Sequence, residues 1–374
     1  MSSNDITIKK VFSLLLLSLL LTSCTNEKVK LKKSTYDIKQ CNKKIYTKKD
    51  LEDYKKLIKD KEIQGYNCVG LYYMRDKDYK KAEKYFNQGK DKGNIESYTQ
   101  LGSLYSNFLN KKDKAIEYYT IAANNGEVKA THNLGVIYDN KFQYKEALKW
   151  YEKSFNAGDT YSLLAIGTIY LKQEKLKKAI DTFIKVGNLG ESGGFYNLGI
   201  LYRKNKEIKD LKKAEEYFQK CLNLGNATCA GGIGTVYEDL KDYKKAIEWY
   251  KKGFELKSEE SVNRLGFIYW EVLKDYKKAI YWFNKGYEEL NCISCLASVG
   301  NIYAVSLKDY DKAIEWYKKA SDLGYVSSTY NIGYTYDKDL KDKENAIKWY
   351  KKAAKMGHEN AKYHLKKLGV TYEQ

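Results

Sequence analysis

The residues of this 374-residue chain that could do chemistry are few: three histidines, His132, His358 and His364, and seven cysteines. A hydrolytic zinc site needs two imidazoles on one helical face, as in H-E-x-x-H. The string "HENAKYH" instead sets its histidines six apart, a poor match to one face. The S-x-x-K and K-T-G signatures of penicillin-recognising enzymes are absent, and the chain is read as carrying no recognisable serine nucleophile. No glycine-rich phosphate loop appears. The "CISC" of Cys292 and Cys295 has the spacing of a redox dithiol, but the βαβ context that supports such a reading is missing. Aspartates and glutamates recur with helical surface spacing, which reads as solvated rather than catalytic. The expectation is a protein without catalysis, resident metal or cofactor.

Near the start stands "KKVFSLLLLSLLLTSC". Its uninterrupted run, residues 11–21, spans roughly 17 Å as a helix, against roughly 30 Å of bilayer hydrocarbon. The run is too short to cross. Two lysines, a short apolar stretch and small residues before a cysteine form the pattern of an export signal. The ending Leu21-Thr22-Ser23-Cys24 resembles the lipobox of bacterial lipoproteins, which implies cleavage after residue 23 and acylation of Cys24. Stable anchoring needs more than one acyl chain. Thr25, in place of aspartate after the cysteine, implies by the same resemblance the outer membrane.

Charge bounds the partners. Removing residues 1–23 takes away Lys9, Lys10 and Asp5, so 67 basic and 48 acidic residues become 65 and 47, a net of +18. Only Arg75, Arg203 and Arg264 are arginines, although phosphate and base recognition leans on arginine's planar fork. The lysines recur at one point of a repeating unit, as in "YKKAIEWYKK", so they read as a solvated helix face. A nucleic-acid partner is set aside.

That repeat positions everything else. An apolar residue, glycine, two residues and tyrosine recur nine times, with glycines at Gly70, Gly102, Gly135, Gly167, Gly199, Gly234, Gly266, Gly300 and Gly333. A second anchor follows each: Ala82, Ala115, Ala147, Ala179, Ala214, Ala246, Ala279, Ala313 and Ala346, each ahead of an aromatic. Leu134 and Tyr138 are four apart on one helical face, as are Ala147 and Tyr151 on the next helix. Glycine and alanine let two helices approach closely, with aromatics filling the space on either side. A helical hairpin cannot bury its apolar face alone, so the hairpins must stack.

The LG-x-x-Y and A-x-x-x-aromatic pattern resembles the tetratricopeptide repeat, and "WYKKASDLGYVSSTYNIGYTY" resembles its relative, the Sel-one-like repeat. The likeness runs from about residue 64 to 370 and implies an all-α, right-handed solenoid of about nine hairpins that binds proteins or peptides. Glycines such as Gly93, Gly126, Gly158, Gly190, Gly225, Gly324 and Gly357 stand where tetratricopeptide repeats carry proline, and glycine ends a helix by its left-handed conformation. The closing glycine is lost at Lys257 and around Asn291, where a bend is expected. "TKKDLEDYKKLI", with Thr47 and Asp50 three apart, predicts a capping helix within 47–63; Ala361, Leu365 and Leu368 predict another at the end of the 64–374 array. Residues 24–46 read as a tether.

Six cysteines remain beside Cys24, and six allow fifteen connectivities. Repeat register sets Cys221 at the small inward position ending one second helix and Cys229 at the small inward position opening the next first helix, which suits a bridge or two free thiols. "CLNLGNATC" also resembles cysteine-rich Sel-one-like proteins of gastric bacteria, whose association with β-lactams implies an alternative: a periplasmic receptor or hydrolase for cell-wall fragments or β-lactams. Elimination then pairs Cys41 with Cys68 and Cys292 with Cys295.

A partner groove is expected along the first helices, at three before, one after and four after each glycine. Those positions hold His132, Tyr196, Arg203, Asn263, Phe267, Trp270, Tyr330, Tyr334 and Asp337. Aromatics and arginine dominate interface energetics; the other reading packs these side chains against the neighbouring hairpin. The expected partner is another envelope protein or peptide, with the membrane reached through the N-terminal lipid only.

Overall fold

The computed structural model describes residue 41 and residues 47–371. Cys24, the signal segment and nearly all of the tether lie outside the described residues. The described chain is all-α: twenty helices, eighteen of them in sequence along the nine repeats and two flanking these, in two compact units divided between residues 179 and 180. The division falls inside one helix, Leu176–Asn188.

Unit 1 opens with helix Lys48–Lys59. Thr47 accepts from the Asp50 backbone N–H at 3.2 Å while the Asp50 carboxylate accepts from the Thr47 backbone N–H at 2.7 Å, a reciprocal capping box. Hairpins 1 to 3 follow as Gln64–Arg75 with Tyr79–Asp91, Ile95–Asn107 with Lys112–Asn124, and Val128–Asn140 with Tyr144–Asn156. Helix Tyr161–Lys172 follows hairpin 3, and the helix after it, Leu176–Asn188, contains the division. Cys41, in the stretch read as tether, is fully buried and bonded to Cys68, with Cα atoms 5.2 Å apart.

Unit 2 contains hairpins 5 to 9: Ser192–Lys204 with Leu211–Asn223, Thr228–Asp239 with Tyr243–Glu255, Glu259–Phe267 with Tyr276–Leu290, Ile293–Asn301 with Tyr310–Asp322, and Val326–Tyr334 with Lys343–Lys355. Helix Glu359–Lys367 ends it, burying Ala361 and Leu365. Disulfides join Cys221 to Cys229 and Cys292 to Cys295, Cα distances 6.0 and 5.3 Å.

One contact recurs in hairpins 1 to 3 and 5 to 9. The aromatic four residues after the repeat alanine lies directly on the repeat glycine of its own hairpin, rather than to one side. A Cβ built on Gly234 would stand 2.5 Å from the Tyr250 ring, and one on Gly102 would stand 2.6 Å from Tyr119. Only hydrogen fits beneath the ring. Where the closing glycine is missing, Lys257 and Asn291 take the left-handed conformation themselves (φ 66° and 55°), so the stop survives on non-glycine residues.

Hairpins 7, 8 and 9 depart from the pattern. Their first helices end in π-helical turns, Ile268–Val272, Ile302–Leu307 and Thr335–Asp339. Glycine and alanine anchors lie thirteen residues apart in these hairpins and twelve in hairpin 6, and the π-turn absorbs the added residue.

Candidate functional site

In unit 1, His132 comes from the first helix of hairpin 3, and its Nδ1 meets Asp159 Oδ2 at 2.8 Å and Ser162 Oγ at 3.0 Å. Ser154 and Ser162 hydroxyls also donate to Asp159, at 2.9 and 2.6 Å. Serine, histidine and aspartate thus meet, but carboxylate and hydroxyl share one ring nitrogen. A catalytic triad needs them on opposite nitrogens, so the cluster fastens hairpin 3 to the start of helix Tyr161–Lys172.

A Gly-x-Ser-x-Gly string does occur, Gly190-Glu191-Ser192-Gly193-Gly194, which corrects the expectation that no serine signature is present. Its chemistry requires a strand-to-helix elbow, and here Ser192 opens a helix that follows another helix. Its hydroxyl accepts from Asn226 Nδ2 at 3.2 Å. Asp78, Asp210, Asp242, Asp275, Asp309 and Asp342 cap the N-termini of second helices, each accepting a backbone N–H three residues on. A hydrogen bond from Lys278 is the largest influence holding the Asp275 carboxyl below its ordinary range. Among the described residues no group of three or more His, Cys, Asp or Glu is placed to hold a metal.

The first helices of hairpins 5, 6 and 7 bring several expected groove residues together. Arg203 lies with its Nε 3.8 Å from Asp239 Oδ2, too long for a hydrogen bond, and that buried Nε has no hydrogen-bond partner. Tyr196 packs edge-on against Phe218. Tyr250 donates to Glu238 Oε1 at 2.5 Å, and Arg264 stands 3.8 Å from the other oxygen. Burial, then that hydrogen bond, pushes the Tyr250 phenol far above its ordinary value. Glu259, Glu260, Asn263, Arg264 and Phe267 line a cleft of about 460 Å³.

Phe267 is 39 % exposed and stacks on Trp270 at 5.7 Å between centroids. Trp270 is only 7 % exposed and donates its indole N–H to Ser306 Oγ, in hairpin 8, at 2.8 Å. Asp337 is likewise 8 % exposed; it accepts from the Tyr350 hydroxyl at 3.4 Å and pairs with Lys338 at 2.8 Å. Straight α-helical counting puts both residues on the groove. Both lie in π-turns, where that counting fails, and they serve packing. Glu238 was missed, although it occupies the same register as Arg203; Arg264 lies off the three expected positions and gives no such signal.

A second cluster, unforeseen from spacing, forms at the end of unit 2. His358 stacks on Tyr330 with centroids 4.4 Å apart, and His364 Nε2 lies 3.2 Å from the Tyr330 hydroxyl. Tyr334, 43 % exposed, meets the His364 ring edge-on. Burial depresses both imidazoles below their ordinary value; Lys338 and Lys367 add to it for His364 while Asp337 opposes, and Glu359 opposes it for His358. A depressed folded-state value means stability that is complete above the unfolded value, 6.5, and is lost as pH falls through the folded one. Amide protection factors in Glu359–Lys367, corrected for the slower intrinsic exchange in acid, are therefore expected to fall as pH drops below 6.5, read by mass spectrometry. Replacing both histidines by Gln should flatten that profile.

Sel1 repeat models match residues 67–94, 196–226, 260–289, 300–325 and 326–358. Tetratricopeptide repeat models match residues 95–122, 229–260 and 129–156. Among solved structures, a protective antigen of uropathogenic Escherichia coli displaying an SLR fold is 21% identical, over 86% of this chain and 84% of that one, with a TM-score of 0.40. A Sel1 repeat protein from Oxalobacter formigenes is 21% identical over 76% of this chain and 90% of its own, TM-score 0.46. An immunity protein from Pseudomonas aeruginosa is 17% identical over 55% and 82%, TM-score 0.37. No curated protein matches the chain.

Proposed function

We propose, from the premise that this chain is built of Sel1 and tetratricopeptide repeats, that it is an exported, lipid-anchored scaffold that binds another protein or peptide of the cell envelope. Repeats of this kind are protein-interaction scaffolds. The lipobox-like Leu21-Thr22-Ser23-Cys24 supports the anchor and the bacterial outer membrane as its place. The observation that carries the binding reading is Phe267: a large apolar ring left 39 % exposed over a cleft edged by Glu259, Glu260, Asn263 and Arg264. An apolar anchor within a polar rim is the anatomy of an interface.

Charge narrows the partner. The first helices of hairpins 6 to 9, with their π-turns, carry two basic and seven acidic side chains in a chain whose net charge is +19. A segment with a basic residue beside an apolar one fits such a row. Chemical cross-linking in intact cells expressing the full chain, with the linked peptides read by mass spectrometry, tests the proposal. Repeated links from one envelope protein to peptides of hairpins 5 to 9 support it. Links to copies of the chain alone overturn it.

A further inference from the structure

The second helices of unit 2 repeat a triplet. In hairpin 6 it is Trp249, Lys252 and Leu256, in hairpin 8 Trp316, Lys319 and Leu323, and in hairpin 9 Trp349, Lys352 and Met356. Hairpin 5 has Tyr217, Lys220 and Leu224, and hairpin 7 has Trp282 and Lys285 with Glu289 in the third place. Spacings of three and seven put each triplet on one helical face. In the same register unit 1 ends its second helices with Lys92, Asn125 and Ala157.

The geometry of the triplets is uniform. Each lysine lies over its aromatic partner, with Nζ 4.5 Å from the centre of Trp249, 4.1 Å from Trp316 and 4.7 Å from Trp349. Beyond Lys252, Lys319 and Lys352 an apolar tip stands in solvent: Leu256 is 44 %, Leu323 46 % and Met356 36 % exposed. Between hairpins 7 and 8 the stripe borders a cleft of about 490 Å³ floored by Tyr287, Leu296, Trp316 and Leu323. Carboxylates temper the charge: Glu315 is 2.9 Å from Lys319, and Asp322 is 3.8 Å from Lys352. The five second helices still carry eighteen lysines against ten acidic residues.

We propose that this edge of unit 2 docks on an anionic phospholipid bilayer, with the Leu and Met tips entering the interface, the lysines meeting phosphate and the indoles lying at headgroup depth. Tryptophan favours that depth, and lysine lays its stem on apolar surface while its ammonium reaches polar groups. Each lysine near such a surface contributes about a fivefold gain in partitioning. A protein partner is the poorer fit, because interfaces between proteins are depleted in lysine. One triplet repeated with little variation also suits a surface that is the same everywhere. This edge is separate from the cleft at Phe267, and the inference does not rest on that reading.

The test uses the full chain carrying Cys24→Ser, so that no acyl chain contributes, and vesicles of phosphatidylcholine with or without phosphatidylglycerol. Two variants accompany it, Lys252→Gln/Lys319→Gln/Lys352→Gln and Leu256→Gln/Leu323→Gln; all five positions are solvent-facing, and circular dichroism checks the fold. Comparing variants with the parent cancels whatever the N-terminal apolar segment adds. Expected are preference for the phosphatidylglycerol vesicles, a loss on the order of a hundredfold in the lysine variant, a loss of about tenfold in the leucine variant, and quenching of tryptophan fluorescence by brominated acyl chains. Equal binding to both vesicle types, or variants that partition like the parent, overturns the proposal.

Discussion

Tyr250→Ala is expected to lower the stability of hairpin 6 by about 4 kcal/mol and Gly234→Ala by about 2 kcal/mol, while the double variant loses less than their sum. The ring is fully buried, and removing a buried aromatic leaves a cavity that the stack fills only in part. Gly234→Ala acts from the other side. Its new methyl would stand 2.5 Å from a ring that cannot swing away, because the Tyr250 hydroxyl is held by Glu238. Overpacking of this severity belongs near the upper end of about 1–3 kcal/mol, offset by the roughly 1 kcal/mol that alanine gains over glycine within a helix. With the ring gone, the methyl enters the space it vacated, so the two costs overlap. Repeat arrays need not unfold in one step, so the measurement is amide exchange in Thr228–Asp239 and Tyr243–Glu255. Strict additivity would show that ring and glycine do not share one contact.

That contact explains how much of the fold was legible. Glycine, alanine and aromatic recur in phase because each hairpin needs the same close approach, and a periodic need leaves a periodic trace. The glycine helix stops were legible for the same reason; at Lys257 and Asn291, where the lost glycine led to the expectation of a bend, the residues themselves take the left-handed conformation and keep the stop. The candidate site was less legible because it depends on exceptions. An anchor spacing of thirteen residues accompanies π-turns in hairpins 7 to 9, yet hairpin 2 has the same spacing and ends its first helix at Asn107 as an α-helix. Spacing alone therefore does not say whether the added residue enters the helix or the turn. Trp270 and Asp337 turned inward on that ambiguity. The histidine cluster was illegible for another reason: His358 and His364 share no face of their own helix, and Tyr330, from 28 residues before His358, brings them together.

The same exceptions decide which substitution tests binding. Phe267→Ala/Arg264→Ala is expected to weaken capture of the envelope partner by about thirtyfold or more, the scale of losing one hot spot of about 2 kcal/mol. The fold should be unchanged, since Phe267 is 39 % exposed and the Arg264 side chain 45 % exposed. Trp270→Ala is the natural companion from sequence and the wrong one from structure. It should cost about 3–5 kcal/mol of stability and take the indole donor from Ser306, so binding would be lost along with the junction between hairpins 7 and 8. The two cases separate in one experiment that reads cross-linking yield beside amide exchange in Ile293–Asn301. Loss of cross-linking with unchanged exchange in Phe267→Ala/Arg264→Ala places the partner on this cleft. Undiminished cross-linking in that variant means the partner binds elsewhere, and Phe267 is then an exposed ring without a role in recognition.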